Sequence, residues 1–157
     1  MPKDNEISML LRRRIEAEII KEIYDVLVER HGPEEAHEVI RISVANSAIS
    51  QGKAFREKYD HEPDLKDFAS HLHLWEKDDA LEREVLHKTH DRLEYNMTRC
   101  EYAKMYREMG LGDIGHLLSC NRDGSFCLGY SDNIELTRTQ TLMEDADYCD
   151  FRYRLKS

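Results

Sequence analysis

The sequence predicts an α+β fold, with N-terminal helices packed on a small antiparallel sheet formed mainly by the C-terminal half. Three observations carry this. Up to about residue 77, apolar residues recur at the three-to-four spacing of helices. Beyond it, short runs rich in Thr, Tyr and aliphatic residues alternate apolar with polar and are separated by turn residues. The 157 residues suffice for one core, so the chain reads as a single domain: a helical scaffold over 1–77 and a sheet-forming part over 78–157 that carries the candidate site.

The first helix follows from Leu11, Ile15, Ile19, Ile23 and Leu27, a row repeating every four residues. Gly32 and Pro33 end it, and Pro33 then opens a second helix with Glu34 and Glu35 at the positive end of its dipole. Ala36, Val39, Ile40, Val44, Ala45 and Ala48 continue that helix, and Gly52 is expected to end or kink it. A third helix begins near Asp64 with Leu65, Phe68, Leu72 and Trp75 on one face.

Residues 78–97 fit either helix or strand, and their Thr, Leu and Tyr content favours one strand from Glu84 to Met97. Thr98-Arg-Cys-Glu101 has the spacing of a capping box, which would start a helix running to Met109 and stopped by Gly110. A short helix over 113–119 and a turn over 121–124 follow. The remainder reads as three strands, 126–130, 134–142 and 149–155.

Composition narrows the function. Hydrophobic residues at 40% and charged residues at 35% describe a globular chain rather than a disordered one. A formal net charge of -9 repels phosphate backbones and anionic lipid, so neither nucleic acid nor membrane is an expected partner. The N-terminus has acids among its arginines and lacks the pattern of a secretory or transit peptide, which points to the cytoplasm. There Cys100, Cys120, Cys127 and Cys149 are expected as thiols. The expected partner is a small-molecule substrate, with homo-oligomerisation left open.

Several residues invite chemistry. Strand alternation places Arg138 and Gln140 on the face of Ile134, Leu136 and Leu142, where a guanidinium needs an anion. Either an internal carboxylate or a substrate carboxylate serves, and in the first case Arg122 and Arg152 are the next anchors to consider. Cys149 shares an inward face with Phe151, Tyr153 and Leu155. Cys100 would sit in the first helical turn after Thr98, where free amides lower a thiol pKa. Asp123 precedes a Gly in a turn and could act as a general base. His71-x-His73 and His87-x-x-His90 have neither the spacing of a helical zinc pair nor an accompanying CxxC. No cofactor is therefore expected, and zinc held by Cys100, Asp123 and Cys149 is the alternative.

The stretches CEYAKMYREMGLGDIGHLLSCNRD, IELTRTQTL and DADYCDFRYR together resemble the C-terminal signature of the L-2-amino-thiazoline-4-carboxylic acid hydrolase family. The resemblance runs from about Asn96 to Tyr153. It departs in the turn before the last strand, where Met143-Glu144-Asp145-Ala146-Asp147 stands in place of an expected Gly. The resemblance implies hydrolytic opening of a cyclic amidine bearing a carboxylate, with water adding at the carbon between sulfur and nitrogen to give N-carbamoyl-L-cysteine in the namesake reaction. Carried over position by position, the motif positions are Cys100, Cys120, Asp123, Arg138, Thr139, Thr141, Cys149 and Asp150; of these Cys100, Asp123 and Cys149 are the catalytic candidates, and Arg138, Thr139 and Thr141, with Asn96, the expected substrate contacts. Two readings from other classes stand beside it: a non-catalytic small-molecule-binding or sensory module using the same pocket, and an assembly subunit whose Leu11–Leu27 row meets a partner helix.

Overall fold

Ser8 starts the first helix, α1 (Met9–His31), by accepting the Leu11 amide on its hydroxyl at 3.1 Å. Gly32, at φ 87°, ends it by returning its N–H to Val28, and Pro33 opens α2 (Pro33–Arg56) at once. The computed structural model describes residues 7–156. α3 (Leu65–Ala69) begins with a reciprocal capping box between Asp64 and Asp67, and α4 (His73–Glu76) is a single turn. A β-hairpin follows, β1 (Leu81–Lys88) and β2 (Arg92–Cys100). Then come α5 (Glu101–Glu108), a π-helical turn over His116–Cys120, α6 (Asn121–Tyr130), β3 (Ile134–Thr137), a 3-10 turn over Leu142–Glu144, and β4 (Cys149–Leu155). No helix among the described residues is long and apolar enough to cross a membrane.

The predicted α+β architecture is present: the four strands form one antiparallel sheet in the order β1-β2-β4-β3. Register sets which face is apolar. Tyr95 pairs with Phe151, Met97 with Cys149 and Leu93 with Tyr153, so all six are buried on one face against Phe68, Phe126 and Tyr130. The other face is polar, with Glu94 held between Arg92 and Arg154 at 2.8 and 3.2 Å. A second core joins Ala17 of α1 and Ile40 and Val44 of α2 to Tyr102, Tyr106, Ile114 and Leu118.

Several local readings are corrected. Leu11, Ile15, Ile19 and Ile23 face outward; α1 turns a second row toward the core, with Ala17 buried and Leu10, Ile20 and Tyr24 partly so. The inner row also carries the buried Arg13, one turn before Ala17. Residues 78–97 contain a hairpin rather than one strand, because 89–91 turn the chain and β1 pairs back on β2. The Thr98 capping box does not form: Thr98 lies in β2 with its hydroxyl toward the Glu82 carbonyl, and Cys100 is the residue before α5. Residues 121–130 are helix, not turn and strand, with Phe126, Cys127 and Tyr130 forming a helical stripe. The strand predicted over 134–142 stops at Thr137 because the Asp150 carboxylate takes the N–H groups of Thr139 and Gln140, both at 2.9 Å.

Gly52 neither ends nor kinks α2. It lets α2 and α6 touch backbone to backbone, for a Cβ there would lie 2.2 Å from the Phe126 carbonyl oxygen. Gly129 answers from α6, where a Cβ would lie 2.0 Å from the Ile49 carbonyl oxygen. Backbone cannot yield as a flexible side chain can, so Gly52→Ala or Gly129→Ala should each cost at least about 1–3 kcal/mol, visible as a lower melting temperature. Gly124→Ala, where an added Cβ meets nothing within 4 Å, is the control and should lose no stability.

Candidate functional site

The apolar face of the sheet does not pack completely against the helices. Between it, α3, α4 and the start of α6 lies a cavity of about 120 Å³. Trp75, Tyr95, Phe126 and Phe151 are among the aromatic rings that line it, and Cys100, Cys120 and Cys149 reach it from three different elements. An aromatic wall with a few convergent polar groups is what small-molecule sites look like.

Asp123 and Arg138 are the charged centre. The Arg138 Nη1 donates to Asp123 Oδ2 at 2.6 Å, its Nη2 donates to the Cys120 carbonyl at 3.0 Å, and its guanidinium carbon lies 5.0 Å from the centre of the Phe151 ring. Asp123 keeps 34% of its side chain accessible although protein surrounds it, so that surface faces the cavity. Burial pushes its pKa above the ordinary carboxylate value, while Arg138 pulls it down.

The thiols are protonated groups at neutral pH. Burial raises the Cys100 pKa to about 11, against the amides of Ala103 and Tyr102, which favour its thiolate. Burial also raises Cys120, reinforced by Asp123, and Cys149, whose sulfur accepts the Leu142 amide at 3.2 Å. Cys127 is buried in the aromatic core and lies outside the cavity lining. The helix-start argument for a reactive Cys100 fails because desolvation outweighs a few amides.

The remaining sequence candidates stand off the cavity lining. Asp150 accepts the hydroxyl and amide of Thr139 and so fixes the segment that delivers Arg138. The Thr141 hydroxyl accepts the Glu144 amide at 3.2 Å and caps the 3-10 turn. This turn ends at Asp145 with φ 69°, so a non-glycine residue takes the left-handed position that the absent Gly would have supplied. Asn96 accepts Arg152 Nη2 at 2.8 Å, and Arg152 also serves the Tyr95 carbonyl, which engages it away from the cavity. Among the described residues, no group of three or more His, Cys, Asp or Glu side chains is arranged to hold a metal ion. Cys100, Asp123 and Cys149 line one cavity without forming such a group.

Sequence reasoning named Arg122 of α6 only as a second-choice anchor and missed the polar residues that join it in the cavity lining, Arg13 of α1 and Gln51 of α2. Arg13 is 4% exposed, buried on the same face as Ala17. An arginine falling on the apolar face of a helix was the available signal, hidden by assigning the wrong face.

The family model for L-2-amino-thiazoline-4-carboxylic acid hydrolase matches residues 12–153. The chain belongs to this family. The match extends the resemblance seen over Asn96–Tyr153 to the helical half, so Arg13, Gln51 and Trp75 also lie within family sequence. No curated protein matches the chain of this family member. Among solved structures, the phenol-responsive sensory domain of the transcription activator PoxR, crystallised with phenol, is similar with a TM-score of 0.52 at 12% identity, over 96% of this chain and 77% of that one. At that identity the likeness is one of fold.

The raised thiol pKa has two consequences. At pH 7 Cys100 is therefore far less ionised than an ordinary thiol. Alkylation of Cys100, mapped by mass spectrometry, should be slow at pH 7 and climb toward pH 11. The folded state holds protons that the unfolded chain releases near pH 9, so this contribution to stability is full below pH 9 and lost as pH rises through about 11. The melting temperature should fall across that window, and less so in Cys100→Ala.

Proposed function

We propose that the cavity is the active site of a hydrolase that opens a small cyclic amidine bearing a carboxylate, as the family name describes. The observation that carries this reading is Asp123, a carboxylate that lines an aromatic cavity with one oxygen on Arg138. Burial makes it a better base than a solvated carboxylate, and Arg138 keeps it available as the anion. Water then adds its oxygen to the amidine carbon and, through Asp123, a proton to the ring nitrogen. Collapse of the tetrahedral carbon breaks the carbon–sulfur bond. The hydroxyl proton passes by the same carboxylate to the departing sulfur, leaving a carbamoyl group and a thiol. The aromatic walls exclude competing water and hold a flat ring. Cys100 and Cys149 supply thiols that can attack in place of water if Asp123 takes their proton.

Turnover of L-2-amino-thiazoline-4-carboxylate, followed as release of a new small-molecule thiol, is the direct test. Asp123→Asn should reduce kcat/KM by about 100-fold or more. It should also cost stability, by about 2 kcal/mol, less than a fully buried broken pair because the cavity side of the carboxylate is wetted. Cys100→Ser and Cys149→Ser separate the two attacks: water attack leaves most activity, thiol attack loses it. If wild type turns over no thiazoline or related cyclic amidine, the hydrolytic reading falls.

A sensory reading has one observation in its favour, the aromatic lining on a fold shared with a phenol-responsive domain. It predicts saturable binding of phenol without chemistry.

A further inference from the structure

Four arginines line the cavity, and three are matched by carboxylates. Arg13 lies 2.5 Å from Glu16, Arg138 lies 2.6 Å from Asp123, and Arg83 lies 2.7 Å from Glu76 in an ion pair without hydrogen-bond alignment. Arg122 makes no ion pair within 4 Å among the described residues, and the carboxylates that act on it from further off, Glu16 and Asp123, are already held by Arg13 and Arg138. Its Nη2 reaches only the Gln51 side-chain oxygen at 3.3 Å and, at 3.5 Å, the Ser47 hydroxyl. Its Nε is buried with no hydrogen-bond partner. Gln51 is also under-used, for its oxygen faces Arg13 Nη2 at 3.5 Å as well, and its amide nitrogen meets only the Met9 sulfur at 3.9 Å. A guanidinium carried into a protein interior without an anion is costly. Two poorly satisfied donors beside one cavity describe a place made for an acceptor that arrives from outside.

We infer that Arg122, with the Gln51 amide beside it, anchors the carboxylate of a small, flat heterocyclic or aromatic acid whose ring lies among Trp75, Phe126 and Phe151. A single unmatched cation suits one negative charge, which favours a carboxylate over a phosphate dianion. This rests on reading the cavity as a substrate site. It assigns the anion to Arg122 because Arg138 already holds Asp123 and the Cys120 carbonyl. The two arginines then do different work: Arg138 holds the base and Arg122 sets what is recognised.

Trp75 is the one tryptophan in the sequence and lines the cavity, so its fluorescence reports binding directly. The probes are 2-aminothiazole-4-carboxylate, an aromatic ring that binds without being opened, and its 4-carboxamide. Wild type should bind the carboxylate about 10- to 100-fold more tightly than the amide, the scale of a charged hydrogen bond. Arg122→Met should abolish that preference, leave amide binding intact, and keep or raise the melting temperature, because an unmatched buried charge is removed. Arg122→Lys, which keeps charge and loses the fork, should show a reduced preference and carries the test if the Met variant does not fold. Equal binding of the two probes by wild type, or an unchanged preference in whichever Arg122 variant folds, overturns the assignment. A preference lost with Arg122 in a protein that turns over no thiazoline would leave the anchor standing and remove only the hydrolytic reading. Thiazoline turnover with the preference untouched by Arg122 would do the reverse.

Discussion

The ion pair between Asp123 and Arg138 spans the distance between the helical layer and the end of the sheet, and much else depends on it. Asp123 comes from the first turn of α6, and Arg138 from the segment that leaves β3. Each group would be expensive to bury alone, so the pair constrains two elements to one arrangement. The Cys120 carbonyl takes a second donor of the same guanidinium, which binds the π-helical turn to that arrangement too. On the far side of Arg138 the chain is held by the Asp150 bonds to Thr139 and Gln140 and by the turn capped at Thr141.

The pair also sets the electrostatics of the cavity. An ionised carboxylate and its guanidinium cancel at short range, which lets aromatic rings approach closely on either side. Arg83 with Glu76 and Arg13 with Glu16 cancel in the same way. What remains is a mostly apolar chamber with positive charge at one end, inside a chain whose net charge is -9. Under the proposed carboxylate anchor, such an arrangement favours a small anion by a local feature, against the net charge of the chain. The thiols fit this account as neutral, polarisable lining, since burial keeps their protons in place.

The sequence made the fold class legible because its two halves differ in apolar period, and it placed β4 correctly because alternation there is strict. It also singled out Asp123, Arg138, Cys100 and Cys149, all of which line one cavity. Where it misled, two patterns were equally consistent with the residues. α1 has two apolar rows, and only its packing against α2 tells which is inside. Asn121–Tyr130 contains glycines that suggest a turn, yet Gly129 is there for a helix contact with Ile49. The Thr98 box has correct spacing, but the chain is still in β2 at Thr98, whose hydroxyl turns to the Glu82 carbonyl of β1. Arg13, Gln51 and Arg122 were illegible as a group because they come together only when α1, α2 and α6 pack.

The reciprocal glycines make the cavity walls mechanically unequal. α2 and α6 interlock through their backbones at Gly52 and Gly129, so the wall carrying Asp123 and Phe126 behaves as part of a 24-residue beam. The opposite wall rests on helices of five and four residues, which bring Phe68 and Trp75 to the same space. Short helices release a few bonds at a time, whereas the interlocked pair can part only as a unit. If a ligand enters by local opening, the short helices are where opening costs least, and the side bearing Asp123 keeps its register.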